Sequence, residues 1–212
     1  MEQVLISTLQ QWILNLIFFF VFLVAIFLLG YAFLIWWRNR HREEQSLHYV
    51  LLQVAVPFDN EIKIDAAEQM FASLFAIKKG GFLKFLRLQP HLSFEIVAKH
   101  EDIRFYVCVP EKLKDLIEKQ INGAYPDAEI LEVPEYNIFS ENGKVAFAEL
   151  ELKNSPYLPI KAYKDLPTDP LSSLTTALAK MGEEEGAVVQ ILISPADSRW
   201  QSAGRNYIAS VK

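Results

Sequence analysis

One Gly-Lys pair, Gly143 and Lys144, has residue types that can hold the phosphates of a nucleotide. A P-loop needs the pattern G-x-x-x-x-G-K-[ST], in which backbone N–H groups and the lysine hold the phosphates and the hydroxyl binds Mg²⁺. Here Val145 follows the lysine, and Ile138 stands in place of the first glycine. The Asn142-Gly143 dipeptide instead predicts a type I′ hairpin turn in the stretch ENGK. We therefore expect no nucleotide hydrolysis by this chain alone.

Side chains suited to metal binding or nucleophilic catalysis are present, but their spacing does not match a site of either kind. The four histidines show neither the i, i+4 nor the HExxH spacing of a zinc helix: His41, His48, His91 and His100. Ser194 lies outside any G-x-S-x-G elbow. Glu95, Glu149 and Glu151 could be paired carboxylates, but alternation along half-exposed strands explains them better. The sequence thus predicts no catalytic residue, no metal site and no cofactor.

Composition and charge exclude further classes of protein. Cys108 is the only cysteine, so the chain has no intramolecular disulfide and no CxxC redox motif. The net charge is −5, and residues 1–42 contribute +2 from three arginines and one glutamate, which leaves −7 for residues 43–212. A nucleic-acid surface normally needs clustered Lys and Arg along the phosphates. We therefore expect no direct contact with nucleic acid, and we interpret Cys108 as a small buried residue of a strand.

One segment, residues 76–94, combines basic and apolar side chains in a way that favours a lipid surface. Its basic residues interleave with Phe and Leu, so cations can face an anionic leaflet while apolar side chains enter it. The predicted lipid contacts are Lys78, Lys79, Phe82, Lys84, Phe85 and Arg87. The alternative interpretation is a loop whose aromatic residues close the edge of a sheet and belong to the core.

The apolar run at residues 12–37, in which Asn15 is the only strongly polar residue, predicts a permanent membrane anchor. A helix needs about 20 apolar residues to span the hydrocarbon, whereas the core of a cleaved export signal has roughly 7 to 15 and follows a basic leader. The leader here, residues 1–11, is a short extracytoplasmic segment without Lys or Arg, and no small-x-small cleavage site follows the run. The run is therefore interpreted as a transmembrane helix.

The residues at the two ends of this run predict its orientation. Tryptophan favours the headgroup region, and short flanks rich in Arg stay in the cytoplasm. The predicted membrane-interface residues are Trp12, Trp36, Trp37, Arg38, Arg40 and Arg42. We therefore expect an inner-membrane protein with its N-terminus outside, a basic juxtamembrane linker at residues 38–47 and a cytoplasmic domain.

The elements that follow the linker predict an α+β fold. Period-two alternation indicates strands, 3.6-residue periodicity indicates helices, and Asp65 with Glu68 has the spacing of a capping box at the start of the first helix. In the order strand, helix, strand, strand, helix, strand, the predicted elements are 50–56, 65–79, 92–98, 103–109, 111–121 and 128–133. This order is that of a ferredoxin-like (βαββαβ) sandwich, which we place at residues 48–134.

Residues 135–212 are predicted to form a second, incomplete α+β unit, so that the sandwich is partly duplicated. Its elements are expected as strands at 145–152 and 157–163, a helix at 171–181, a strand at 187–193 and a last helix from about Ser198. The last helix carries an apolar stripe and reaches Lys212 without a stop signal. We expect the natural polypeptide, or a partner, to continue past this end.

The stretch FEIVAKHEDIRFYVCVPEKLKDLIEKQINGAYPDAEI, residues 94–130, behind a single apolar helix and together with GGFLKFLR at residues 80–87, carries a family resemblance. It resembles the membrane-anchored N-terminal region of bacterial proteins associated with type IV secretion and conjugation ATPases. The resemblance implies an ATPase module, as a partner or as a C-terminal continuation. That module's P-loop is missing from these residues.

The function expected from these patterns is that of a non-catalytic membrane anchor and docking domain for a secretion or DNA-transfer motor. Its expected partners are the lipid bilayer, a secretion-type ATPase and further copies of the chain. Two alternatives from other classes are a membrane-bound domain that senses a small ligand and a hydrolase whose site is made of scattered carboxylates.

Overall fold

A computed structural model of the chain describes residues 2–46, 48–78, 80 and 89–211, which separate into two compact units. The first is built on α1, Glu2–Ser46, which includes the predicted leader and most of the predicted linker. Its sequence contains no proline and only one glycine, Gly30, so the backbone stays helical throughout.

The central part of α1 is apolar on every side. The stretch Gln10–Trp37 has 28 residues, a mean hydropathy of 2.9 and no buried side chain. At 1.5 Å per residue it is about 42 Å long, more than the roughly 30 Å of hydrocarbon in a bilayer. By length and composition, α1 is therefore able to cross a membrane, and this part of the prediction is confirmed.

The second unit is an α+β fold, as the sequence predicts. Its strands are β1 (Tyr49–Ala55), β2 (Leu92–Lys99), β3 (Asp102–Pro110), β4 (Glu129–Val133) and β5 (Gly186–Ile193). Its helices are α2 (Ile64–Ser73), α3 (Lys114–Ala124), α4 (Ser172–Leu178) and α5 (Arg199–Val211), with 3₁₀ turns at Leu74–Ile77, Glu111–Leu113 and Tyr163–Asp165. The six elements predicted between residues 50 and 133 are all formed, within a few residues of the expected bounds.

The five strands form one antiparallel sheet in the order β4-β1-β3-β2-β5. Strands β2 and β3 are a hairpin whose turn places Glu101 at φ 55°, in the left-handed region that favours glycine. The predicted duplication is not confirmed, because β5 adds to the edge of this sheet beside β2 and starts no second sheet.

The main core lies on one face of the sheet, beneath α2 and α3. Period-two alternation places Leu52 and Val109 on this face, and the i, i+4 pair Ile117 and Ile121 of α3 packs on them. The buried members of this core are Leu52, Met70, Leu74, Ile77, Leu92, Val107, Val109, Ile117 and Ile121. Each such side chain contributes about 1.5 to 3 kcal/mol by leaving water, so this face holds the unit together.

Four local predictions are wrong. Residues 145–152 and 157–163 are not strands, and the Ser140–Gly143 turn, closed by Gly143 N donating to Ser140 O at 3.1 Å, therefore joins no hairpin. The capping box at the start of α2 is not formed either. Asp65 lies inside the first turn, accepts a hydrogen bond from Tyr163 Oη and pairs with Lys164 Nζ at 3.0 Å. Asp65 is held by contacts with residues distant in sequence, and the two predicted strands have no described partner strand. Both effects override the local pattern.

Candidate functional site

The second face of the sheet is crossed by residues 134–138, which we call the crossing segment. The segment starts at the end of β4, at one edge of the sheet, and Ile138 reaches β5 at the other. A Cβ added to Gly186 would lie 2.8 Å from Ile138 O and 2.9 Å from Ile138 Cβ. Glycine at the start of β5 therefore lets the crossing segment approach the sheet backbone this closely.

Below the crossing segment, Glu95 is buried with one neutral hydrogen-bond donor on each carboxylate oxygen. Its side chain is 5% exposed. Tyr136 Oη donates to Glu95 Oε2 at 2.6 Å, and Gln190 Nε2 donates to Glu95 Oε1 at 3.0 Å. The three residues belong to the crossing segment, β5 and β2, so this cluster ties three parts of the unit together.

The pKa values of Tyr136 in this cluster and of Cys108 beside it are both raised. Burial and the hydrogen bond to Glu95 raise the pKa of Tyr136, whose ring centroid lies 5.3 Å from that of Tyr106. Burial, followed by the charges of Glu95 and Glu135, raises the pKa of Cys108 to about 11. Cys108 is half-buried and stays a thiol at neutral pH, which makes it a poor nucleophile.

The prediction for Glu95 is wrong, and two partners were not predicted at all. The alternation of β2 indicates a half-exposed carboxylate, but the crossing segment covers that face of the strand and buries it. Tyr136 and Gln190 carry no motif or spacing that singles them out. Only the course of the chain across the sheet brings them to Glu95.

A half-open cleft of about 360 Å³ lies beside the crossing segment. Its lining residues are Gln53, Val97, Lys99, Asp102, Arg104, Tyr106, Val133, Pro134, Glu135 and Tyr136. Arg104 Nε pairs with Asp102 at 2.8 Å, and Arg104 Nη1 donates to Gln53 at 3.4 Å. The charged side chains of the lining are two cations, Lys99 and Arg104, and two carboxylates, Asp102 and Glu135. Its lining offers no pair of a nucleophile and a base.

Metal ligands are not gathered in the part of the chain that the structure describes, where no three of His, Cys, Asp and Glu lie together. Two described histidines of the sheet unit, His91 and His100, bond to protein groups instead. His91 Nδ1 lies 3.0 Å from Tyr49 Oη, and His100 Nδ1 lies 3.0 Å from Met181 O. Both rings therefore have local structural partners.

The predicted membrane-interface residues all lie on α1. Trp12, Trp36 and Trp37 are exposed at the two ends of the apolar stretch. The guanidinium of Arg40 lies over the Trp36 ring, 5.4 Å from its centroid. Arg38 and Arg42 lie in the same helix, two residues before and two residues after Arg40. Aromatic and cationic groups are thus concentrated at the C-terminal end of the stretch, the arrangement that headgroups favour.

Among the predicted lipid contacts, Lys78 is the one that the structure describes. Its ammonium donates to Ala196 O at 2.8 Å and lies 5.0 Å from the centroid of the Phe75 ring. Lys79, Phe82, Lys84, Phe85 and Arg87 lie outside the described residues. Contact of this segment with lipid stays a prediction.

The C-terminal part of the sheet unit exposes many large apolar side chains. Helix α5 has no buried residue. It packs on Tyr157, whose ring centroid lies 5.5 Å from that of Tyr207 and whose Cβ faces Gly204. The exposed apolar residues of this part are Phe139, Val145, Phe147, Leu150, Leu152, Leu158, Ile160, Leu171, Ile191, Leu192, Trp200, Tyr207, Ile208 and Val211. Where such side chains form a contiguous patch, the patch is typical of a contact with another protein or with a membrane.

Comparison with known proteins gives one family match. Residues 40–211 match the family model described as "Domain of unknown function (DUF8128)". The match covers the whole sheet unit and begins after the apolar stretch of α1. No curated protein and no solved structure matches the chain.

Proposed function

Since this chain belongs to the DUF8128 family, whose function is not defined, we propose from its own residues that it is a single-pass membrane anchor and docking domain for a secretion or DNA-transfer motor. The observation that carries the proposal is the Gln10–Trp37 stretch of α1, with 28 residues and no buried side chain. A helix that is apolar all round needs an apolar surrounding, and lipid supplies it.

The proposed topology has the N-terminus outside and the sheet unit in the cytoplasm, at the inner membrane. It is supported by the leader, which has no Lys or Arg, and by Arg38, Arg40 and Arg42 directly after the stretch. Cytoplasmic flanks carry the excess of basic residues. Indole rings at both ends would anchor the helix at the two interfaces.

The proposed docking role is supported by how the sheet unit uses its surface. Its buried carboxylate, Glu95, accepts hydrogen bonds from Tyr136 and Gln190, and Arg104 forms an ion pair with Asp102. These groups already have partners within the unit. The apolar side chains exposed between Phe139 and Val211 instead suit a protein partner. The resemblance of residues 94–130 suggests that this partner is a secretion-type ATPase, encoded separately or as a continuation of the chain.

We interpret the helix-backed strands β1–β4 as a ferredoxin-like sandwich, because their element order is βαββαβ. Residues 135–212 are proposed to be its incomplete repeat. The repeat would complete its strands on binding a partner, since residues 145–152 keep the alternation of a strand.

Reporter fusions to the full chain test the anchor and its orientation. A reporter that works only in the cytoplasm, fused after Lys212, should be active. Replacing the three arginines by glutamine while changing Gln3, Gln10 and Gln11 to lysine should invert the chain and silence that reporter, because basic flanks stay inside. Activity from a periplasmic reporter on the unaltered chain, or a chain that alkaline carbonate releases from membranes, contradicts the proposal.

Nucleotide turnover tests the non-catalytic role. The full chain purified in detergent should hydrolyse no ATP above a buffer control, because it has no P-loop. Turnover that survives repurification and disappears when one carboxylate is changed, for example in Glu149→Gln or Glu151→Gln, would favour the hydrolase hypothesis instead.

The cleft beside the crossing segment favours a second function, the sensing of a small aromatic anion. Lys99 would pair with the anion, and the partly exposed ring of Tyr136 would contact its aromatic ring. A panel of aromatic carboxylates should then raise the melting temperature of the wild type in a saturable way, and Lys99→Gln should weaken the effect. A melting temperature that no compound changes would remove this candidate.

A further inference from the structure

Residues 145–152 alternate apolar and polar or small side chains as a strand does, but they are exposed and form no strand. Phe147 is 89% exposed and Leu150 is 97% exposed. The backbone groups of residues 144–152 form no hydrogen bond with any residue that the structure describes. A chain segment with alternating side chains and unpaired backbone groups is what β-strand addition to a sheet edge requires.

The sheet offers one edge that suits such a strand. Strand β5 has no described neighbour on its outer side, and its exposed side chains include Ile191 at 56% and Leu192 at 66%. Its sequence, GAVVQILI, contains no charged residue and no proline, the devices with which edge strands prevent pairing. The opposite edge, β4, is protected, because Glu132 of β4 pairs there with Lys114 at 2.5 Å.

We propose that residues 145–152 of one copy add as a strand to the outer edge of β5 in a second copy of this chain, so that two copies exchange strands. Each copy offers one free strand and one free edge, which is what a closed twofold exchange needs. The contact goes beyond the anchoring role, because it forms whether or not α1 crosses a bilayer.

The occupant is a second copy because a chain does not place this strand on its own edge. Ile138 already touches Gly186 at the start of β5, yet residues 139–156 are exposed and residues 144–152 form no backbone hydrogen bond with the described part of β5. Charge also fits. Glu149 and Glu151 share one face of the free strand, and Lys99 lies one strand in from the β5 edge, opposite Gly186 in the register. Strand β5 itself brings no charge that would repel either carboxylate.

Disulfide scanning of the full chain in detergent tests the contact. In a Cys108→Ser background, Leu192→Cys is combined with a single cysteine at each position from 145 to 152, and the products of mild oxidation are separated without reductant. We expect disulfide-linked dimers whose yield alternates with period two along the scan. Side chains on one face of adjacent strands come within disulfide range, and their neighbours point away.

Each other outcome of the scan overturns the proposal. A reducible shift in the mobility of the monomer means that the strand folds back on its own β5. Equal yields at all eight positions mean random collision, and no link at any position means that the two segments do not meet. The Cys108→Ser/Leu192→Cys variant without a second cysteine shows how much dimer β5 alone forms.

Proline substitutions provide an independent readout. Phe147→Pro and Ala148→Pro each remove one N–H from the exchanged strand. Successive N–H groups point to opposite sides of a strand, so one of the two is donated to β5, and its loss should lower the linked-dimer yield roughly tenfold. The matched control is Glu141→Pro in the Ser140–Gly143 turn, where proline suits the second position of a turn and the yield should not change. All three residues are exposed, so the variants should fold. A yield that neither strand variant lowers below that of Glu141→Pro contradicts the proposal.

Discussion

Residues 49–55 and 145–152 have the same alternation of side chains and opposite surroundings. The first stretch is β1, which has β3 and β4 as neighbours and buries Leu52 completely. Residues 145–152 have no described strand beside them, and Leu150 is almost fully exposed to water. The comparison teaches that alternation fixes which side chains can share a face, whereas a strand forms only where another strand takes its hydrogen bonds.

The two regions also treat polar side chains differently. Glu95 in the paired region is buried and accepts two hydrogen bonds, whereas Glu149 in the unpaired region is exposed. Both lie in sequences that alternate apolar and polar residues. The crossing segment makes the difference, because it covers the outer face of β2 and covers no part of residues 145–152.

A matched pair of leucine substitutions gives the largest effect that this comparison predicts. Leu52→Ala should lower the free energy of unfolding by about 3 kcal/mol, because it leaves a cavity in the core. Leu150→Ala should lower it by less than about 0.5 kcal/mol, the ordinary range of a surface change. Denaturant unfolding of the full chain in detergent, followed by circular dichroism, measures both. Equal losses would show that residues 145–152 are packed in the free chain.

The next effect concerns the close approach of the crossing segment to β5. Gly186→Ala places a Cβ 2.8 Å from a backbone oxygen that has little freedom to move, and overpacking of this kind costs about 1 to 3 kcal/mol. The control is Gly123→Ala in α3, where an added Cβ meets nothing within 4 Å and alanine favours the helix. A Gly186→Ala variant with wild-type stability would mean that Ile138 does not lie on the sheet.

A smaller effect is expected from the hydrogen bonds of the buried carboxylate. Tyr136→Phe removes the donor to Glu95 Oε2 and should lower the free energy of unfolding by about 1 to 2 kcal/mol. Tyr207→Phe is the control, since that exposed residue makes a ring contact and its loss of a hydroxyl should have no measurable effect. Unfolding curves that coincide for the two variants would argue against a buried Glu95 cluster.

The smallest effect is a pH dependence of stability that comes from Cys108 in the paired region. The pKa of Cys108 is raised from 9.0 to about 11 in the folded chain. Below pH 9 both states keep the proton, but between pH 9 and 11 the folded state holds a proton that the unfolded state releases, so stability falls as the pH rises. The loss from this thiol should stay below about 2 kcal/mol, because a partly exposed site retains solvent screening.

Cys108→Ala isolates this contribution from that of Tyr136, whose pKa is raised in the same direction. As the pH rises from 9 to 11, the free energy of unfolding of the wild type should fall more than that of the variant. Parallel pH profiles would show that the thiol titrates alike in both states. The same burial predicts slow reaction of Cys108 with thiol reagents at neutral pH in the folded chain.

Much of the fold follows from local sequence patterns. The apolar run of α1, the six elements between residues 50 and 133 and the last helix are each encoded by contiguous residues. Side-chain periodicity is a property of the chain itself, so it indicates these elements before any contact is known. The core positions Leu52, Ile117 and Ile121 follow from the same periodicity.

Only the tertiary structure decided which strands are neighbours and which faces are covered. Strand β5 was predicted correctly as a strand, but its place beside β2 depends on an edge that is built by other parts of the chain. Glu95 is buried because a segment forty residues later in the sequence crosses over it, and residues 145–152 stay unpaired because no described edge meets them. Local periodicity has no information about partners distant in sequence, since pairing is decided by the summed free energy of contacts across the whole fold.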